Sequence, residues 1–86
     1  MPNVLFRDDS FAELSYWAHN DRKMLAKIEK ILDDIERNGA AKGIGKPERL
    51  KHKPGWSRRI DSEHRLIYDV KDNVIEVKSC KGHYED

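Results

Sequence analysis

Leu25, Ile28, Leu32 and Ile35 recur at intervals of three, four and three residues, with Lys, Glu, Asp and Arg between them. That spacing gathers the four apolar side chains on one stripe of an α-helix and turns the charges to water. Such a stripe must be covered, so it reads as core or as a surface for a partner rather than as a ligand site. Asn20-Asp21 can cap this helix at its start, and Gly39 is a natural stop. Upstream, Ser10-Phe11-Ala12-Glu13 has the Ser-x-x-Glu form of a capping box. Phe11, Leu14, Trp17 and Ala18 then fall on one face, which predicts a first helix and hence a helical hairpin.

Beyond the small-residue link from Ala40 to Gly45 the periodicity changes to two. Glu48 to Lys51 predicts a strand after Pro47, with Glu48 and Leu50 on one face and Arg49 and Lys51 on the other. Lys53-Pro54-Gly55 is a turn signal, Trp56 to Asp61 the next strand, and Asp61-Ser62-Glu63 the turn after it. From His64 to Val70 the pattern alternates, Leu66, Tyr68 and Val70 against Arg65 and Ile67. Lys71-Asp72-Asn73 closes a hairpin into Val74 to Cys80, and Gly82 ends that strand. With a short strand from Asn3 to Arg7, the order predicts an α+β fold. One small domain over residues 1–86 carries a mainly antiparallel five-stranded sheet with the helical hairpin on one face.

Composition narrows the function. No apolar run approaches the roughly 20 residues of a membrane span, and no basic-then-apolar signal segment opens the chain. The single Cys80 has no intrachain disulfide partner, which points to the cytoplasm. No Cys/His spacing suggests a metal, and no glycine pattern a phosphate-cradling loop, so no cofactor is expected. The net charge is only +1, yet residues 1–41 hold six bases and eight acids while residues 42–86 hold eleven and eight. Between Lys42 and Arg65 eight Lys or Arg face three acids, Glu48, Asp61 and Glu63, which allows a local basic patch on a nearly neutral protein.

A carboxylate among cations, with a distant His83-Tyr84 pair, is a set of parts for cutting RNA without a metal. One group must take the 2′-hydroxyl proton, cations must neutralise the phosphorane, and an acid must protonate the departing 5′-oxygen. A histidine, titrating in general near about 6.5, suits the acid, and a carboxylate the base. The plain alternatives stand beside this. Glu48 reads equally as an exposed strand residue in surface ion pairs, and Arg65 as the structural partner of a carboxylate such as Glu48 or Asp69. His83 by itself would be a solvated terminal residue, and Tyr84 either stacks on a base or packs on the sheet edge. Arg58 and Arg59 point to opposite faces, so only one can join a site. His19, His52 and His64 read as surface or packing residues, Trp17 and Trp56 as core. Spacing alone supports a small α+β domain with a basic face.

Several uncommon blocks in order add to that reading: Gly45-Lys46-Pro47-Glu48, Leu50-Lys51-His52, Trp56-Ser57-Arg58-Arg59-Ile60, Glu63-His64-Arg65-Leu66, Tyr68, and Cys80-Lys81-Gly82-His83-Tyr84. In these the chain resembles the YoeB (Txe/YoeB) toxins, within the RelE-like superfamily of type II toxin–antitoxin systems. The resemblance spans nearly the whole chain and implies the RelE-like microbial RNase fold. It also implies an mRNA interferase, an endoribonuclease that cuts messenger RNA in the ribosomal A site and is silenced by a YefM/Axe-type antitoxin with a largely disordered C-terminal segment. By that resemblance Glu48 is the general base, His83 the general acid and Arg65 the phosphate-stabilising cation. Lys51 and Arg59 support the substrate and Tyr84 helps position it; no metal takes part, and a homodimer is allowed for. Two departures are a short His52-to-Trp56 loop and the Glu85-Asp86 extension beyond the His-Tyr end. The rival readings are a non-enzymatic ribosome- or RNA-binding inhibitor of translation and a DNA-binding repressor subunit. The latter lacks a basic recognition helix.

Overall fold

A computed structural model describes residues 2–83. Along the chain, strand β1 (Val4–Phe6) precedes helices α1 (Ser10–Asn20) and α2 (Arg22–Asn38). Strands β2 (Glu48–Arg49), β3 (Trp56–Arg59), β4 (Arg65–Lys71) and β5 (Val74–Ser79) follow.

The second helix forms as its pattern dictates. The Asp21 carboxylate accepts from the amides of Lys23 and Met24, at 3.2 and 3.3 Å, and satisfies two of the otherwise open donors of the first turn. Gly39, with φ of 88°, ends the helix and donates to the Ile35 carbonyl. Met24 and Ile31 join Ile28, Leu32 and Ile35 in the buried face, while Leu25 is only partly buried against it.

The first helix departs from expectation at its start. Ser10 and Glu13 do not form a capping box, and the N-cap residue Asp9 makes no side-chain capping hydrogen bond. Ser10 is fully buried and its hydroxyl donates to the Val77 carbonyl (3.0 Å), while Glu13 accepts from the Cys80 amide (2.8 Å). Both side chains are drawn to β5 and the segment after it because the helix start is packed on the sheet. Phe11, expected on the inner face, is 65% exposed, with its ring edge-on to Phe6 at 6.0 Å.

The sheet order is β1-β5-β4-β3-β2. The four later strands form the expected antiparallel meander, but β1 lies parallel to β5, so the sheet is mixed. No tight turn joins β1 to β5; the whole chain between them makes the connection, which frees that edge from hairpin geometry. Asp72 and Asn73 both have positive φ, 51° and 64°, as a two-residue hairpin turn requires. Strand β2 stops at Arg49 rather than Lys51, because Leu50 turns inward and its amide donates to the Gly55 carbonyl.

Both helices rest on β5, and Trp17, Ile28, Leu66, Tyr68, Ile75 and Val77 fill the space between the layers. Arg58 is fully buried among them. Its guanidinium donates to Asp34 (2.6 Å) and to the carbonyls of Gly39, Lys42 and Ile44, and its Nε to the Tyr68 hydroxyl. That hydroxyl in turn donates to the Ala40 carbonyl. One side chain thereby holds the whole link from Gly39 to Ile44 against the sheet. This fixes where Lys46, Pro47 and Glu48 enter β2.

Candidate functional site

Strand alternation sends Trp56, Arg58 and Ile60 inward and leaves Ser57 and Arg59 on the face away from the helices. Glu48 is paired with Ser57, Ser57 with Ile67, and Arg59 with Arg65. On this face Glu48, Lys51, Arg65 and His83 line one open groove, together with Arg49, Leu50 and Ser57. Three segments remote in sequence supply them: the β2 edge, the start of β4, and the chain just past β5.

Arg65 is the fixed point. Its side chain is 19% exposed, its Nε donates to the Ser57 hydroxyl at 2.6 Å, and its Nη2 lies 3.6 Å from Glu48 Oε1. The Glu48 side chain is 65% exposed, so this ion pair is long and water-screened and adds little to stability. It leaves a guanidinium oriented by a neutral hydroxyl and only loosely matched in charge, a geometry suited to a phosphate oxygen. Arg59 sits directly across from Arg65, and like charges in that relation repel. An incoming anion relieves that cost. Arg59 itself is exposed and is not among the residues that line the groove.

The turn that presents Arg65 is held by Asp61, whose carboxylate accepts from the amides of Glu63 (2.8 Å) and His64 (2.7 Å). Burial alone would raise the Asp61 carboxyl, but those two amides, helped by the Lys27 charge, hold it below the ordinary carboxylate value. His83 is exposed at the groove. Tyr84, Glu85 and Asp86 lie outside the described residues. Among the described residues no group of three or more His, Cys, Asp or Glu side chains is arranged to hold a metal. The groove therefore offers a carboxylate, an imidazole and several cations along one open surface.

The model of the YoeB-like toxin of bacterial type II toxin–antitoxin systems matches residues 6–84, nearly the entire chain and every groove residue. The chain belongs to that family. It is 39% identical to toxin YoeB of Escherichia coli O6:H1 (strain CFT073) over 94% of its own length and 98% of that toxin. Among solved structures it resembles the heterotetrameric YoeB–YefM toxin–antitoxin complex of Staphylococcus aureus, with a TM-score of 0.93 and 49% identity over 98% of this chain and 99% of that one. The YoeB dimer of the same organism superposes with a TM-score of 0.90 at 49% identity, covering 96% and 98%.

Within this YoeB-like fold, three lining residues lay outside the expected site, Arg49, Leu50 and Ser57. Ser57 orients Arg65, and its signal was its position on the same strand face as an arginine one hairpin away. Arg49 borders the groove beside Glu48, but its guanidinium lies 5.5 Å from the ring centre of Trp56, its partner across the strand pair, on the opposite face from Glu48.

Proposed function

We propose that this YoeB-like chain is a ribosome-dependent messenger-RNA endoribonuclease that works by attack of the 2′-hydroxyl without a metal. Glu48 takes the 2′-hydroxyl proton as the 2′-oxygen attacks phosphorus. Arg65 holds the non-bridging oxygens, and protonated His83 gives its proton to the departing 5′-oxygen. The products are a 2′,3′-cyclic phosphate and a 5′-hydroxyl. Lys51 and Arg59 hold flanking phosphates, and Tyr84 orients the substrate. The observation that supports this reading is the meeting of Glu48, Arg65 and His83 in one groove, with Arg65 half-buried and aimed by Ser57. A purely binding role would need the cations but not the carboxylate and imidazole beside them.

Single-turnover cleavage of a message on programmed ribosomes tests it. His83→Ala and Arg65→Ala should each slow cutting by about 10²-fold or more with ribosome binding kept. Lys51→Ala and Arg59→Ala should instead weaken association and flatten its salt dependence. Free RNA should be cut poorly. Near-normal cutting by His83→Ala removes the acid assignment, and translation blocked with no cut message leaves occupancy as the mode of action.

The Staphylococcus aureus relatives are known as a YoeB–YefM heterotetramer and as a YoeB dimer. From these we infer a YefM-type antitoxin and self-association for this chain as well. Phe11 and Tyr16 leave apolar surface on the outer side of α1, where a segment that folds on binding can seat. Lys81 lies 4.8 Å over the Tyr16 ring, so such a segment would press on the chain that carries His83. The expected result is a shift of the His83 NMR signals when the antitoxin peptide is added; an inhibited complex with His83 unmoved leaves occlusion of the groove alone.

A further inference from the structure

His83 is exposed and lies beyond the last strand, so its reach to the groove depends on what holds the chain just before it. That chain is fastened at every residue. The Cys80 amide donates to Glu13 and the Cys80 carbonyl accepts from Trp17 Nε1 at 2.9 Å. Lys81 covers the Tyr16 ring. The Gly82 peptide is then bracketed by two consecutive residues of the other wall. Its carbonyl accepts from the Arg65 amide at 3.1 Å, and its amide donates to His64 Nδ1 at 2.8 Å. The His64 ring stands edge-on to Trp17, with centroids 4.8 Å apart. A main-chain N–H can only donate, so Nδ1 must be the accepting nitrogen and the ring proton must sit on Nε2. Nε2 faces the Glu63 carboxylate, 4.0 Å away, which favours that placement.

We infer that His64 is a positioning residue for His83: its Nδ1 grips the Gly82 amide and sets the imidazole of residue 83 at a fixed place relative to Arg65. This deepens the proposed reaction and rests on it. The residue next in sequence to His64 carries the phosphate-binding cation, and the residue next to Gly82 carries the proposed acid. Two hydrogen bonds between the two pairs lock acid and cation into one frame. Gly82, with φ of 91°, makes the bend that turns His83 from the strand toward the groove. A displacement of about 1 Å at a reacting group can cost on the order of 10²-fold in rate, so a grip on the preceding peptide matters.

The test needs an acceptor swap and a direct observation. His64→Phe keeps a ring against Trp17 but removes the acceptor, while His64→Asn offers an amide oxygen near the Nδ1 position. In His64→Phe the Gly82 amide should exchange with solvent about tenfold faster or more, and the single-turnover rate at saturating ribosomes should fall by about tenfold or more with the half-saturating ribosome concentration unchanged. His64→Asn should restore much of both. A Phe variant with native Gly82 protection and native rate overturns the inference, as does equal loss in both variants. In the wild-type protein a scalar coupling across the hydrogen bond between the Gly82 amide and His64 Nδ1 should be detectable. Its absence, with the ring proton found on Nδ1, overturns the inference even if the Phe variant fails to fold. If the wild type cuts no message, the proposed reaction fails, while the Gly82 measurements still decide whether His64 holds the tail.

Discussion

Arg58 is a cation inside a small core, and it is tolerated there because every donor direction is met. Asp34 supplies the charge and three carbonyls and a phenol supply the rest. The Asp34 carboxyl is held below its ordinary value of 3.8 chiefly by the Arg58 hydrogen bond, against the opposing effect of burial. A carboxyl depressed on folding contributes stability that is present above its unfolded value and lost as pH falls through the lower folded value. Stability should therefore drop on acidification below about pH 4, and the loss should be shallower in Asp34→Asn. At neutral pH Asp34→Asn should cost about 3–5 kcal/mol, because it leaves a buried cation without its counter-charge. Urea midpoints for both proteins from neutral pH to acid check this; parallel curves would mean that the pair is not coupled to folding. None of this could be read from Arg58 by itself. The adjacent Arg-Arg pattern told that one side chain faces inward, but the partner lies on a helix 24 residues away, off the apolar stripe.

At the scale of elements, the link from Gly39 to Gly45 is what couples the helices to the groove. Gly43, with φ of 125°, packs so closely that a β-carbon there would fall 1.7 Å from the Asp34 carboxylate and 2.9 Å from Arg58. Gly39, with φ of 88°, has open space around it. Gly39→Ala should thus cost only backbone strain, about 1–3 kcal/mol, because φ of 88° with ψ of 178° is a conformation essentially reserved for glycine. Gly43→Ala should cost distinctly more by breaking the Asp34–Arg58 pair. Equal losses in denaturant midpoint would contradict this packing. The second helix was legible because Leu25 to Ile35 repeats at one period between a polar cap and a glycine. The meander was legible because Leu66, Tyr68 and Val70 alternate with Arg65 and Ile67. The start of α1 was not. A Ser-x-x-Glu motif specifies a cap only if nothing else competes, and here the Val77 carbonyl and the Cys80 amide claim both side chains. The parallel placement of β1 was equally hidden, since three residues at an edge carry no register signal of their own.

At the scale of the whole molecule, the sheet separates two tasks. One face buries the helices and most of the core. The other gathers Glu48, Arg65 and His83 from three distant stretches into the groove. Sequence blocks and the family resemblance named these residues, but their convergence depends on devices no motif states: Ser57 aiming Arg65, Asp61 shaping the turn, and His64 gripping Gly82. With a net charge of only +1, the protein has little general attraction for nucleic acid. The proposed dependence on the ribosome fits this weak attraction, since another particle would then present and bend the substrate. In the proposed reaction the groove cuts messenger RNA through the 2′-hydroxyl. The most direct test maps the product ends from a message on programmed ribosomes, beside the same message carrying a 2′-deoxy nucleotide just 5′ of the cut. The account predicts a 2′,3′-cyclic phosphate and a 5′-hydroxyl on the first and no cut at that bond in the second. A 5′-phosphate product, or undiminished cutting of the deoxy message, would contradict it.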